Sequence, residues 1–186
     1  TIYSDDALGA LTGAGIMVAI MKGLFTRLCA EPDLRVFFDE CHRTLRGVGL
    51  RPMYMALGLL RLRGREGVAI GAGMPRILIH RAATRMVDQV SLDGTPLGAD
   101  FDLPRVETRF DLAPGDKALL MSDGYIEQFD AAEQMLDYER CAASFAEAAD
   151  RQPDAIIDHL FARFDSFRGS VPQGDDVTCV VVAARG

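Results

Sequence analysis

The hydrophobic period of this 186-residue chain changes at Pro52, and that change limits the folds open to it. Before Pro52 apolar residues recur at helical spacing; after it they alternate or run in short blocks. Residues 16–29 are apolar with good helix formers throughout, and Gly13-Ala14-Gly15 opens that run. Pro32 suits the first turn of a second helix. Leu34, Phe37, Phe38, Cys41, Leu45 and Val48 then recur on one face, and Gly47 and Gly49 end it. Beyond Pro52, residues 53–62 and 67–72 read as a hairpin. Residues 76–80, 85–90 and 106–112 read as further strands, and residues 1–4 as the tail of one. Ala113-Pro114-Gly115-Asp116 is a turn, from which Lys117–Met121 is expected to pair back onto 106–112. Residues 137–150 and 153–167 return to helical spacing, and the β-branched stretch 177–183 closes the chain. Hairpins dominate, so the fold class is α+β, with antiparallel sheets covered by helices rather than a parallel βαβ sheet.

Composition removes several functions. Hydrophobic residues make up 49% and charged residues 25%, an ordinary globular balance that suits a single domain over 1–186. A net charge of −7 and a pI near 4.9 argue against nucleic acid and against an anionic membrane surface as partners. No apolar run reaches the length of a membrane span, and the first residues lack a signal-peptide pattern, so the expected location is the cytoplasm. Cys29, Cys41, Cys141 and Cys179 show no metal-site spacing, and His42, His80 and His159 are scattered. The thiols are expected to be free and buried, the histidines to be surface or helix-packing residues, and the methionines to be core filler.

Two acidic positions share a design. Asp123 follows the apolar run Lys117–Met121, and Asp175 precedes the last strand. Strand ends hold side chains on rigid backbone, and carboxylates gathered there without His or Cys suit hard divalent cations such as Mg²⁺ or Mn²⁺. Each also has a plain reading as a polar turn beside a strand. Glu127 and Asp130 read as the solvated start of a loop. The glycines of 9–15 can suggest a phosphate-binding turn, but helix follows helix there and the strand that such a fingerprint needs is missing.

Taken together, these motifs resemble the SpoIIE/RsbU-like branch of the metal-dependent (PPM-type) serine/threonine protein phosphatases of bacteria. Pro114-Gly115-Asp116-Lys117 with Leu119-Leu120-Met121-Ser122-Asp123-Gly124-Tyr125-Ile126-Glu127 is similar to the family's "PGD…LL.TDG..E" signature. Gln173-Gly174-Asp175-Asp176-Val177-Thr178 is similar to its closing "Q.DD.T.VV" motif. Gly71-Ala72-Gly73-Met74-Pro75 resembles the "NAGHP" loop, and Pro96-Leu97-Gly98 the "PLG" loop. The resemblance implies an antiparallel β-sandwich flanked by helices, here lacking its N-terminal strands, as the C-terminal part of a larger regulatory protein. It implies hydrolysis of phosphoserine or phosphothreonine on a signalling protein such as a STAS-type anti-sigma-factor antagonist. Asp123 and Asp175 would be ligands in an Mn²⁺ or Mg²⁺ two-metal site that activates water. Incomplete sheets leave an open edge, through which a homodimer can form.

The departures fall on the first metal motif, "GD..GHG". Aligned with Gly9–Gly15, it puts Ala10 at the bridging aspartate and Ala14 at the histidine, and Met74 replaces the histidine of the "AGHP" loop. Three explanations follow: a truncated or altered chain, a degenerate pseudophosphatase that acts by binding a protein, or a carboxylate supplied instead by Asp5 or Asp6.

Overall fold

The structure, a computed structural model, describes residues 2–5, 11–49, 53–101 and 104–184. In chain order the elements are β1 (Ile2–Asp5), α1 (Leu11–Leu28), α2 (Leu34–Val48), β2 (Ala56–Arg63) and β3 (Glu66–Ala72). Next come β4 (Ile77–His80), β5 (Val87–Val90), β6 (Thr108–Asp111), β7 (Lys117–Met121) and the single turn α3 (Asp123–Ile126). The last are α4 (Asp137–Ala148), α5 (Pro153–Arg168) and β8 (Cys179–Ala183). They form two compact units, Thr1–Met74 with Leu92–Phe110, and Pro75–Ser91 with Asp111–Gly186.

The first unit holds a four-stranded sheet in the order β1-β2-β3-β6. β1 pairs antiparallel with β2, Ile2 opposite Leu59, and β2 with β3 through a turn in which Gly64 takes φ 59°. The helices α1 and α2 bury Met17, Met21, Phe37, Phe38 and Cys41 in one core with Leu57 and Ile70 from the sheet. The Asp33 carboxylate accepts the Arg35 backbone N–H at the start of α2, and Gly49 ends the helix at φ 71°. Val48, read as a core position, is exposed. α1 starts at Leu11, earlier than the glycine row suggested. Gly13 is tolerated there because the helix runs close to Met53: a Cβ on Gly13 would lie 2.7 Å from the Met53 sulfur. Two of the resemblance loops meet in this unit, where a Cβ on Gly73 would lie 2.7 Å from the Pro96 ring.

The second unit holds an antiparallel sheet in the order β5-β4-β7-β8, with α4 and α5 burying Cys141, Phe145, Ile156, Leu160 and Phe164 against Leu78, Leu119 and Met121. The expected pairing of 106–112 with Lys117–Met121 is corrected here. β6 lies beside β3, whereas β7 pairs with β4 and β8. The turn between them explains the divergence. Asp116 closes it onto Ala113, and both Gly115 and Asp116 bond the backbone of Ala184, so the chain leaving the turn joins the last strand instead. His80 packs edge-on to Phe145 of α4, and burial aided by Arg85 pulls its pKa below the ordinary imidazole value. The thiols are free as expected, but Cys29 is exposed and Cys179 only half-buried. No helix among the described residues is long and apolar enough to cross a membrane.

Candidate metal centre

β7 delivers four buried residues, Ala118 to Met121, and then stops at Ser122. Ser122 is completely buried and stitches the end of β7 to the segment before β8. Its hydroxyl donates to the Asp176 carbonyl at 3.0 Å and accepts the Thr178 N–H at 2.9 Å, while its own N–H reaches the Thr178 carbonyl at 3.0 Å. Asp123 therefore starts α3 directly beside the loop that carries Asp175. Gly124 sets how close they come: a Cβ there would lie 2.5 Å from the Asp176 carbonyl oxygen and 3.2 Å from the Asp175 Cβ. Only glycine lets the two backbones touch.

The structure thus brings Asp123 and Asp175 to neighbouring loops at one end of β7 and β8. Beside them stands Glu127, exposed to solvent as expected. Glu127 sits one helical turn beyond Asp123, and its N–H bonds the Asp123 carbonyl at 2.9 Å. Partial desolvation, then the negative charges of Asp123 and Asp175, raise the Glu127 carboxyl above its ordinary pKa. The i, i+4 spacing from Asp123 was the available signal. Asp130 is different: its carboxylate caps the N–H groups of Ala132 and Gln134 within its own loop.

An all-carboxylate donor set with a glycine-gated approach suits a hard divalent cation in chemistry. Among the described residues, however, no three His, Cys, Asp or Glu side chains already converge on one point. Asp123, Glu127 and Asp175 give this unit a carboxylate face without such a cluster. Ala10, and Asp6 with it, lie outside the described residues, and of Ala14 only the backbone, inside α1, is described.

The family profile of Stage II sporulation protein E (SpoIIE) matches residues 6–185. The chain belongs to the SpoIIE family. Solved structures give the same fold at low identity. The SiaA-PP2C domain of Pseudomonas aeruginosa is 18% identical with a TM-score of 0.80, over 98% of this chain and 74% of that one. The RsbU and RsbW domains of a Mycobacterium tuberculosis protein are 22% identical with a TM-score of 0.72, over 99% and 51%. The PP2C phosphatase domain of SpoIIE from Bacillus subtilis, with a fragment of its regulatory domain, is 20% identical with a TM-score of 0.70, over 98% and 54%. The chain therefore spans about half of two of these three structures and three quarters of the third. No curated protein sequence matches it. The SpoIIE-type, PP2C-like architecture expected from the motifs is the architecture found.

Proposed function

We propose that this SpoIIE-family domain is a metal-dependent serine/threonine protein phosphatase that acts in the cytoplasm on a phosphorylated signalling partner, a STAS-type antagonist being the substrate class that the motifs suggest. The observation that carries the reading is the apposition of the Asp123 and Asp175 loops through Gly124, at the two positions where the family motifs place acidic residues. Asp123 and Asp175 would hold Mn²⁺ or Mg²⁺ through carboxylate oxygens. When bound, such ions supply Lewis acidity and lower the pKa of a bound water. The chain's own part is to fix those oxygens. Ser122 locks the two loops together by three hydrogen bonds, and Glu127 brings a third carboxyl beside Asp123 and Asp175.

The start of α1 supports a different register for the first metal motif than Gly9–Gly15. α1 has already begun at Leu11, so Gly13 and Gly15 lie inside a helix rather than in a loop. In that register Asp5 or Asp6 would supply the acidic residue of the motif. Read in the Gly9–Gly15 register, Ala10 at the bridging position supports a second reading, a pseudophosphatase that binds its partner without turnover. Calorimetric titration of Mn²⁺, paired with phosphate release from a phosphorylated STAS-type protein, separates the two. The enzyme reading expects binding and turnover in the unsubstituted chain. Asp123→Asn and Asp175→Asn should each weaken binding more than about a hundredfold, since even residues that only support ligands cost about 10–100-fold. Turnover that appears only after Ala10→Asp would favour the binding module.

A further inference from the structure

Gln128 has no part in the motifs, yet it is among the few polar side chains buried in the second unit, at 4% exposure. It follows Glu127 directly and faces the loop that leads into Asp175. Its amide nitrogen donates to the Phe129 carbonyl at 2.9 Å and to the Pro172 carbonyl at 3.1 Å. Its amide oxygen accepts the Gly174 N–H at 3.0 Å. Two acceptors on one side and a donor on the other fix the orientation of the amide. From the far side, Gln173 donates its side-chain amide to the Asp175 carbonyl at 2.7 Å.

We infer that Gln128 is a positioning residue that sets the spacing between the Asp123–Glu127 turn and the Asp175 loop, and so the affinity of that carboxylate face for a divalent cation. The inference rests on the proposed function. Ser122 ties the loop on the β8 side of Asp175, at Asp176 and Thr178; Gln128 ties it on the other side, at Pro172 and Gly174. Asp175 is thereby held from both flanks. Among the described residues the bonds from this turn to Pro172 and Gly174 are those of Gln128, and without it the Gly174 N–H loses its acceptor. A loop tethered on one side samples positions that a rigid pair of ligands excludes, and misplacement of supporting groups typically weakens a metal site about 10–100-fold.

The test uses Gln128→Met, which keeps the volume and removes all three bonds, and Gln128→Glu, which keeps the acceptor and removes both donors. Two readouts are taken on each: amide hydrogen exchange without metal, and the Mn²⁺ dissociation constant by calorimetry. The expected result for Gln128→Met is exchange about tenfold faster at Gly174 and Asp176, with α4 and α5 amides unchanged, and a dissociation constant raised about tenfold. Turnover should return toward that of the unsubstituted chain at saturating Mn²⁺, which a general loss of folding would not allow. Gln128→Glu should fall between the two in exchange. Unchanged exchange at Gly174, or faster exchange with an unchanged dissociation constant, overturns the positioning role alone. If the unsubstituted chain binds no Mn²⁺, the proposed function falls and the positioning role with it.

Discussion

Gly124 shows how much a single Cβ decides in this molecule. The atom it would meet is a backbone oxygen, which cannot rotate away as a side chain could. Gly124→Ala must therefore push the Asp175–Asp176 backbone off the α3 turn, at a cost of about 1–3 kcal/mol. Mn²⁺ affinity should fall with it. Gly174 lies in the same loop, but a Cβ there would meet nothing within 4 Å. Gly174→Ala should stay within about 0.5 kcal/mol of the unsubstituted chain. Urea unfolding of the two variants checks the contrast, and equal stabilities would refute the close-approach argument. Glu127 belongs to the same scale. It is solvent-exposed, as a carboxylate after a turn usually is, yet partial desolvation and then the charges of Asp123 and of Asp175, distant in sequence, raise its carboxyl above the ordinary value.

At the level of elements, the turn before β7 is tightly specified by polar contacts. Asp116, 2% exposed, accepts hydrogen bonds from the Arg81 guanidinium at 2.9 Å, the Ala82 N–H at 2.9 Å and the Ala113 N–H at 3.1 Å. Burial alone would raise its carboxyl; the Ala82 bond, then Arg81 and Ala113, outweigh burial and hold it below the ordinary value. A carboxyl with a depressed native pKa stabilises the fold fully above its unfolded value, near pH 4, and that contribution fades as pH falls through the native pKa. Asp116→Asn keeps one acceptor and loses the charge. It should cost about 1.5–3 kcal/mol near pH 7, the range for a hydrogen bond to a charged group. Its urea midpoint should then decline less steeply than that of the unsubstituted chain below about pH 4. Parallel pH profiles would show that Asp116 is not the group responsible. The same network explains why β6 and β7 belong to different sheets despite being joined by a short turn.

For the whole molecule, a cation that binds the folded chain and not the unfolded one must raise its stability. At a free Mn²⁺ concentration a hundred times the dissociation constant the gain is about 2.7 kcal/mol. For a chain of this size that raises Tm by roughly 5–10 °C. Calorimetric scans should show the shift in the unsubstituted chain and none in a chain carrying both Asp123→Asn and Asp175→Asn; no shift in either would count against the metal reading. Periodicity and breakers were enough to find both helix pairs, the hairpin of β2 and β3, the short strands β4 and β5, and the closing strand. Those are local patterns, set by which side chains must leave water and by where glycine and proline interrupt them. Motif order in the chain was enough for the family, and it singled out Asp123 and Asp175, whose loops the fold places side by side. Three things could not be read that way: the departure of β7 from β6, the electrostatic role of Glu127, and the clamp that Gln128 makes on the 172–174 loop. Each depends on groups brought together from separate parts of the chain, such as Gly115 with Ala184 or Gln128 with Gly174. Sequence spacing specifies which face of an element is apolar; only the tertiary fold decides which distant backbone groups lie within hydrogen-bond reach.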